Sequence, residues 1–132
     1  RDVSITCVWV LLIGFAWAPL GYALTALSSL GLPLGRAPEH ALTIGFASSL
    51  VVAMVTRVTQ GHWGRPIELT TVGKFAFAGI QAAAVTRTIA AIHEENGPWL
   101  VVSAALFLFA LAPWAARNVV IYLSPRKDGK AG

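Results

Sequence analysis

Charge is scarce in this sequence. Charged residues make up only 12% of the 132 residues, against about 25% in an ordinary soluble domain. Hydrophobic residues make up 56% and the mean hydropathy is +0.68. A soluble chain of this length has too little interior to bury so much apolar surface. The composition therefore excludes an ordinary soluble domain and indicates a membrane protein.

Cysteine is almost absent, and the common catalytic motifs are missing. The single cysteine permits no internal disulfide. The chain has no P-loop, no Ser-His-Asp set, no Cys-x-x-Cys pair and no acidic pair within an apolar run, so a hydrolase or a kinase has no support. The apolar runs are continuous and do not alternate with period two, which argues against a transmembrane barrel.

Long apolar runs predict four transmembrane helices. Residues 3–35 carry no charge, and about 20 residues of helix are enough to cross a bilayer. The predicted spans are 3–30, 39–59, 71–92 and 98–122, followed by a polar tail over 124–132. We therefore expect an all-α polytopic membrane protein, with residues 1–132 forming one four-helix unit of a larger helical bundle. Small residues in the third span predict that it packs among helices: Ala76, Ala78, Gly79, Ala82 and Ala83.

The ten basic residues are divided unevenly between the two sides of the membrane. Four crossings place eight of them on one side: Arg1, Arg57, Arg65, Lys74, Arg117, Arg126, Lys127 and Lys130. Arg36 and Arg87 fall on the other side. Cytoplasmic loops carry the excess of Lys and Arg, so we expect both termini in the cytoplasm. The net charge of +4 thus reports orientation and not nucleic-acid binding.

Three histidines are candidate metal ligands, because imidazole binds haem iron and copper. His40 is expected at the outer mouth of the second helix, His62 in the inner turn 61–66 and His93 in the outer turn after the third helix. About 33 Å of helix, at 1.5 Å per residue, would separate His40 from His62, so the two cannot share one metal. Each histidine is also consistent with a simple interfacial role, which is favoured for His93 because two glutamates follow it.

The turn 61–66 is the most informative unit. Its two glycines allow His62, Trp63 and Arg65 to be presented close together, and Arg57 adds a second guanidinium. Such a cluster suits a haem propionate, an anionic headgroup or a partner's carboxylate. The alternative is plain positive-inside topology with an interfacial tryptophan. The other tryptophans also suit interfacial anchoring and packing: Trp9, Trp17, Trp99 and Trp114.

Four segments resemble the NnrS family of bacterial membrane proteins: 40–45 (HALTIG), 53–57 (AMVTR), 61–66 (GHWGRP) and the tail 124–130. The resemblance implies a haem- and copper-containing protein of the bacterial cytoplasmic (inner) membrane that serves the nitric oxide response, denitrification or tolerance of nitrosative stress. It implies b-type haem and copper as cofactors. His40, Arg57, His62 and Arg65 match the motif as cofactor-binding residues, with His40 and His62 as the metal ligands.

Family members resemble twelve-helix chains, so this sequence, which starts at Arg1 without an initiator Met, is expected to be the last four helices. Its expected partners are the lipid bilayer and other transmembrane helices, from an upstream part of the chain or from partner subunits. The alternative function is a non-catalytic structural subunit of a larger respiratory or photosynthetic membrane complex. A transporter half is a third possibility, suggested by Pro19 within the first span. No residue is assigned a catalytic role, and enzymatic activity stays undecided.

Overall fold

The computed structural model describes the backbone of residues 2–93, 97–125 and 129, and the side chains of residues 8–93, 97–125 and 129. Every regular element in these ranges is helical. In chain order they are α1 (Asp2–Ser29), α2 (Ala37–His40), a π-helix (Ala41–Ser48), α3 (Ser49–His62), α4 (Thr71–Ile92) and α5 (Gly97–Tyr122).

Four helical stretches are long and apolar enough to cross a membrane: Val8–Ser29, Ala37–His62, Thr71–Ile92 and Gly97–Tyr122. Each has 22 or 26 residues, and about 20 suffice for a bilayer core. The predicted all-α membrane architecture with four spans is therefore confirmed. The cytoplasmic placement of the termini stays a prediction. Four of the basic residues on which that prediction depends, at positions 1, 126, 127 and 130, lie outside the described residues. The glutamates at positions 94 and 95 lie outside them as well.

The connection between the first two spans is a tight turn against α4. Gly31 and Gly35 adopt φ values of 96° and 52°, a region that favours glycine. A Cβ atom on Gly35 would lie 2.6 Å from the carbonyl oxygen of Ala91. Pro38 follows in the first turn of α2, where a missing N–H costs nothing. This end of the second span is thus held against the end of α4.

The third span, α4, is the most buried of the four. In the apolar 18-residue stretch of α4, 44% of residues are buried, whereas the corresponding stretches of the other spans have 11–28% buried. Of the small residues that were expected to place this span among other helices, Ala76 and Ala83 are fully buried. Ala78 and Ala82 are exposed, so only one face of α4 takes part in this packing.

The second span differs from its prediction in two respects. The helix continues to His62, which was expected in the following turn, because the Trp63 N–H bonds to Thr59 O and the Arg65 N–H bonds to Gln60 O. Gly64, at φ 62°, then allows the chain to turn. Residues Ala41–Ser48 are π-helical, which no local sequence pattern indicated.

Candidate functional site

The two histidines predicted to bind metal lie at opposite ends of one helical rod. His40 ends α2 and is half-buried, whereas His62 ends α3 and is exposed. The rod Ala37–His62 is continuous. The two imidazoles therefore cannot bind the same ion, and the predicted site divides into two.

Three of the four predicted site residues lie together at the α3 end. Arg57 and His62 are in the last turns of α3, and Arg65 follows in the turn. Arg57 and His62 are exposed, and Arg65 is half-buried. The Nε atom of Arg65 is shielded from solvent and meets no hydrogen-bond acceptor among the described residues. This end of the molecule therefore offers one imidazole and two guanidinium groups.

The turn that carries these groups is fixed to the end of α5. Trp63 donates its indole N–H to the carbonyl oxygen of Ser124 over 2.9 Å. Its ring packs edge-on against Tyr122, with centroids 4.6 Å apart and planes at 81°. The Tyr122 hydroxyl in turn lies 3.0 Å from Thr59 Oγ1. Trp63 is thus a packing residue between two helices, which limits the positions that His62 and Arg65 can take.

An exposed apolar stripe on α3 leads to His62. Val51, Met54 and Val58 are 54%, 50% and 44% exposed. Steps of three and four residues place these side chains and His62 on one face of the helix. The imidazole therefore lies at the polar end of an apolar surface.

His40 lies beside an unusual stretch of backbone. The π-helix begins at the next residue, and its Ala41 and Gly45 are buried. A Cβ atom on Gly45 would lie 2.3 Å from Trp17 Cδ2, so the indole of α1 packs directly on this glycine. Short π-helical stretches within helices occur frequently at functional sites.

A chain of hydrogen bonds links three spans near the π-helix. Trp17 donates its indole N–H to Gln81 Oε1 over 2.7 Å, and Gln81 Nε2 donates to Ser49 Oγ over 2.6 Å. Ser49 is fully buried. Sequence reasoning did not single out Gln81. The sequence does place this amide in the middle of an apolar span. Polar groups are costly there, so the position could have been recognised as one that needs a hydrogen-bond partner or a function.

His93 directly follows α4, at the same end of the bundle as α2 and His40. It is exposed and lines an open groove of about 450 Å³ between α4 and the start of α5. The other lining residues are Val85, Thr86, Ile89, Ala90 and Trp99. Most of these residues are apolar, and His93 is the one titratable residue among the described lining residues.

The donor set favours haem over copper. Among the described side chains, no three of His, Cys, Asp or Glu form a group that could hold a metal ion. A single imidazole is enough for the proximal ligand of haem iron, so His62 with its two arginines fits haem. Copper sites take several protein ligands, which the residues described around His40 and His62 do not provide.

No curated protein and no solved structure gives a significant match to this sequence. The model of the NnrS family, described as NnrS protein, matches residues 3–126. This range covers nearly the whole chain and includes all four spans, both predicted metal-ligating histidines and both arginines of the α3 end. The chain is therefore a multi-pass membrane protein that belongs to the NnrS family.

Proposed function

We propose that this NnrS-family protein binds b-type haem at the α3 end and takes part in the bacterial response to nitric oxide, in denitrification or tolerance of nitrosative stress. We place it in the bacterial cytoplasmic (inner) membrane. One observation carries the proposal: His62 lies at the end of an exposed apolar stripe, and Arg57 and Arg65 lie at the same end.

Each part of this surface suits one part of haem. The stripe formed by Val51, Met54 and Val58 offers apolar contact to the ring. The guanidinium groups of Arg57 and Arg65 can bind the propionates, because arginine matches a carboxylate with two parallel N–H donors. When bound, haem supplies an iron atom with a coordination position that takes a small ligand such as nitric oxide.

We propose that His40 binds a second metal. The family resemblance implies that this metal is copper. Among the described residues, no group of three or more His, Cys, Asp or Glu side chains is present there. The further ligands must come from another part of the protein or from a partner subunit.

The proposal predicts which histidine carries the haem. The full chain, produced with haem and purified in detergent, should show a Soret band that shifts when nitric oxide is added. His62→Ala should lose the band. Arg57→Gln and Arg65→Gln should each weaken haem binding about tenfold or more, because a hydrogen bond to a charged group contributes about 1.5–3 kcal/mol. Haem titration followed by absorbance measures this.

Two variants act as controls. His93→Ala removes an exposed histidine outside the motif and should leave the band unchanged. His40→Ala should retain the haem and lose any copper. Loss of the Soret band in His40→Ala with retention in His62→Ala would contradict the assignment. A folded, colourless wild-type protein would overturn haem binding and favour a non-catalytic structural subunit of a larger membrane complex.

A further inference from the structure

A narrow groove lies at the opposite end of the bundle from His62. It runs between the π-helix and α5 over the surface of α4, and its volume is about 200 Å³. Its lining is formed by Ile44, Arg87, Leu100, Ser103, Ala104 and Phe107. Four of these side chains are apolar, and Arg87 is the one charged residue among the described lining residues.

The charge of Arg87 is placed within the span and not beyond it. Arg87 is five residues before the end of α4 at Ile92, about 7.5 Å at 1.5 Å per residue. The arginine is half-buried, and its Nη1 atom is shielded from solvent. Ser103 is 4% exposed and lies at a similar depth, six residues after the start of α5 at Gly97. A cation at this depth is costly in a bilayer unless it faces polar groups or an anion.

The size of the groove limits what can fill it. A transmembrane helix with its side chains is about 10–12 Å across and cannot enter a groove of about 200 Å³. The upper part of one acyl chain, a single file of methylene groups, is narrow enough to enter it. The positions Leu100, Ala104 and Phe107 follow one face of α5 from its start towards the membrane centre. Leu100 is nearer the surface than Arg87, and Ala104 and Phe107, seven and ten residues after Gly97, are deeper, so an acyl chain has an apolar path past Arg87.

We propose that this groove binds one anionic phospholipid, with its phosphate on the Arg87 guanidinium and one acyl chain along Leu100, Ala104 and Phe107. A guanidinium has five N–H donors and can serve a phosphate in addition to contacts within the protein. Its fork geometry matches phosphate oxygens. The positive charge of Arg87 complements the anionic headgroup, and the apolar walls of the groove complement the acyl chain. This site is independent of haem binding at the other end.

The test uses native mass spectrometry of the full chain released from nanodiscs of phosphatidylglycerol and phosphatidylcholine. The wild-type protein should retain one phosphatidylglycerol molecule in preference to phosphatidylcholine. Arg87→Gln should lower the phosphatidylglycerol-bound fraction about tenfold, the effect of losing one charge-assisted contact. Lys74→Gln removes an exposed cation at the other end of the same helix and should change nothing.

A second pair of variants tests the acyl path while Arg87 stays intact. Ala104→Phe fills the groove and should also release the lipid, whereas Leu108→Phe, at a position that is 63% exposed, should not. Circular dichroism checks that each variant is helical. Equal losses in Arg87→Gln and Lys74→Gln would overturn the proposal, since they indicate diffuse electrostatic attraction. Displacement of the lipid by inorganic phosphate, or no retained lipid in the wild-type protein, would overturn it as well.

Discussion

Three buried polar side chains of this bundle, Ser49, Thr56 and Thr59, bond to partners on other helices. Trp114 donates its indole N–H to Thr56 Oγ1 over 2.8 Å, and the two residues are 9% and 4% exposed. Trp114 also packs in the cluster that contains Val52 and Ile80. The sequence indicated packing or interfacial anchoring for this tryptophan. Its partner, 58 residues earlier, became apparent only when the helices were placed side by side.

The Thr56–Trp114 bond predicts a measurable loss of stability. Thr56→Val keeps the shape of the side chain but removes the acceptor, which leaves a buried N–H unpaired at a cost of about 1–3 kcal/mol. The midpoint of unfolding in detergent, followed by circular dichroism, should fall. Thr25→Val is the matched control, because the Thr25 hydroxyl bonds only within its own helix and is exposed. Equal midpoints for the two variants would contradict the prediction.

The π-helix of the second span packs against two other helices, α1 and α4. Its Gly45 receives the ring of Trp17 from α1, and the same ring bonds to Gln81 of α4. The lengths of the four spans were predictable because hydropathy is a local property that adds along the chain. The local change from α to π hydrogen bonding was not predictable, because the indole that packs on Gly45 belongs to another helix.

This packing predicts that Gly45 does not tolerate a side chain. Gly45→Ala would place a Cβ atom 2.3 Å from Trp17 Cδ2. Overpacking of this kind costs about 1–3 kcal/mol, and only part of that cost is offset by the roughly 0.8–1 kcal/mol that alanine adds in a helix. We expect a lower unfolding midpoint for Gly45→Ala.

Gly97→Ala is the control for this prediction, because a Cβ atom there meets nothing within 4 Å. Its midpoint should stay unchanged or rise. Adding Trp17→Ala to Gly45→Ala should remove the steric part of the cost, which a double-mutant cycle isolates. A Gly45→Ala protein as stable as Gly97→Ala would show that Trp17 does not restrict this glycine.

The whole molecule has two ends with different chemistry. One end carries His62, Arg57, Arg65 and the loop before α4. The other carries His40, the Arg36–Glu39 ion pair and the α4–α5 connection. Among the described residues, four basic side chains lie towards the first end (Arg57, Arg65, Lys74 and Arg117) and two towards the other (Arg36 and Arg87). The first end is the expected cytoplasmic side.

The predicted orientation can be tested by labelling from one side of the membrane. In a Cys7→Ser background, Glu68→Cys and His93→Cys each place a single thiol at an exposed position on opposite ends of the bundle. A membrane-impermeant maleimide added to intact cells should label His93→Cys and should label Glu68→Cys only after the cells are opened. The reverse pattern would place both termini outside.

The sequence by itself determined that the chain is a four-span membrane protein of the NnrS type. Apolar runs, scarce charge and short motifs are local features, and each can be recognised without knowing its neighbours in space. It also located His62, Arg57 and Arg65 near one another, because all three lie within nine residues.

Only the tertiary structure decided which distant residues meet. It joined Trp63 to Tyr122 and Ser124, and it placed Gln81 between Trp17 and Ser49. These contacts join positions 32 to 64 residues apart. They follow from how closely the helices approach and rotate, which small residues permit but do not specify. For that reason hydropathy predicted the spans, and packing alone determined their hydrogen bonds and grooves.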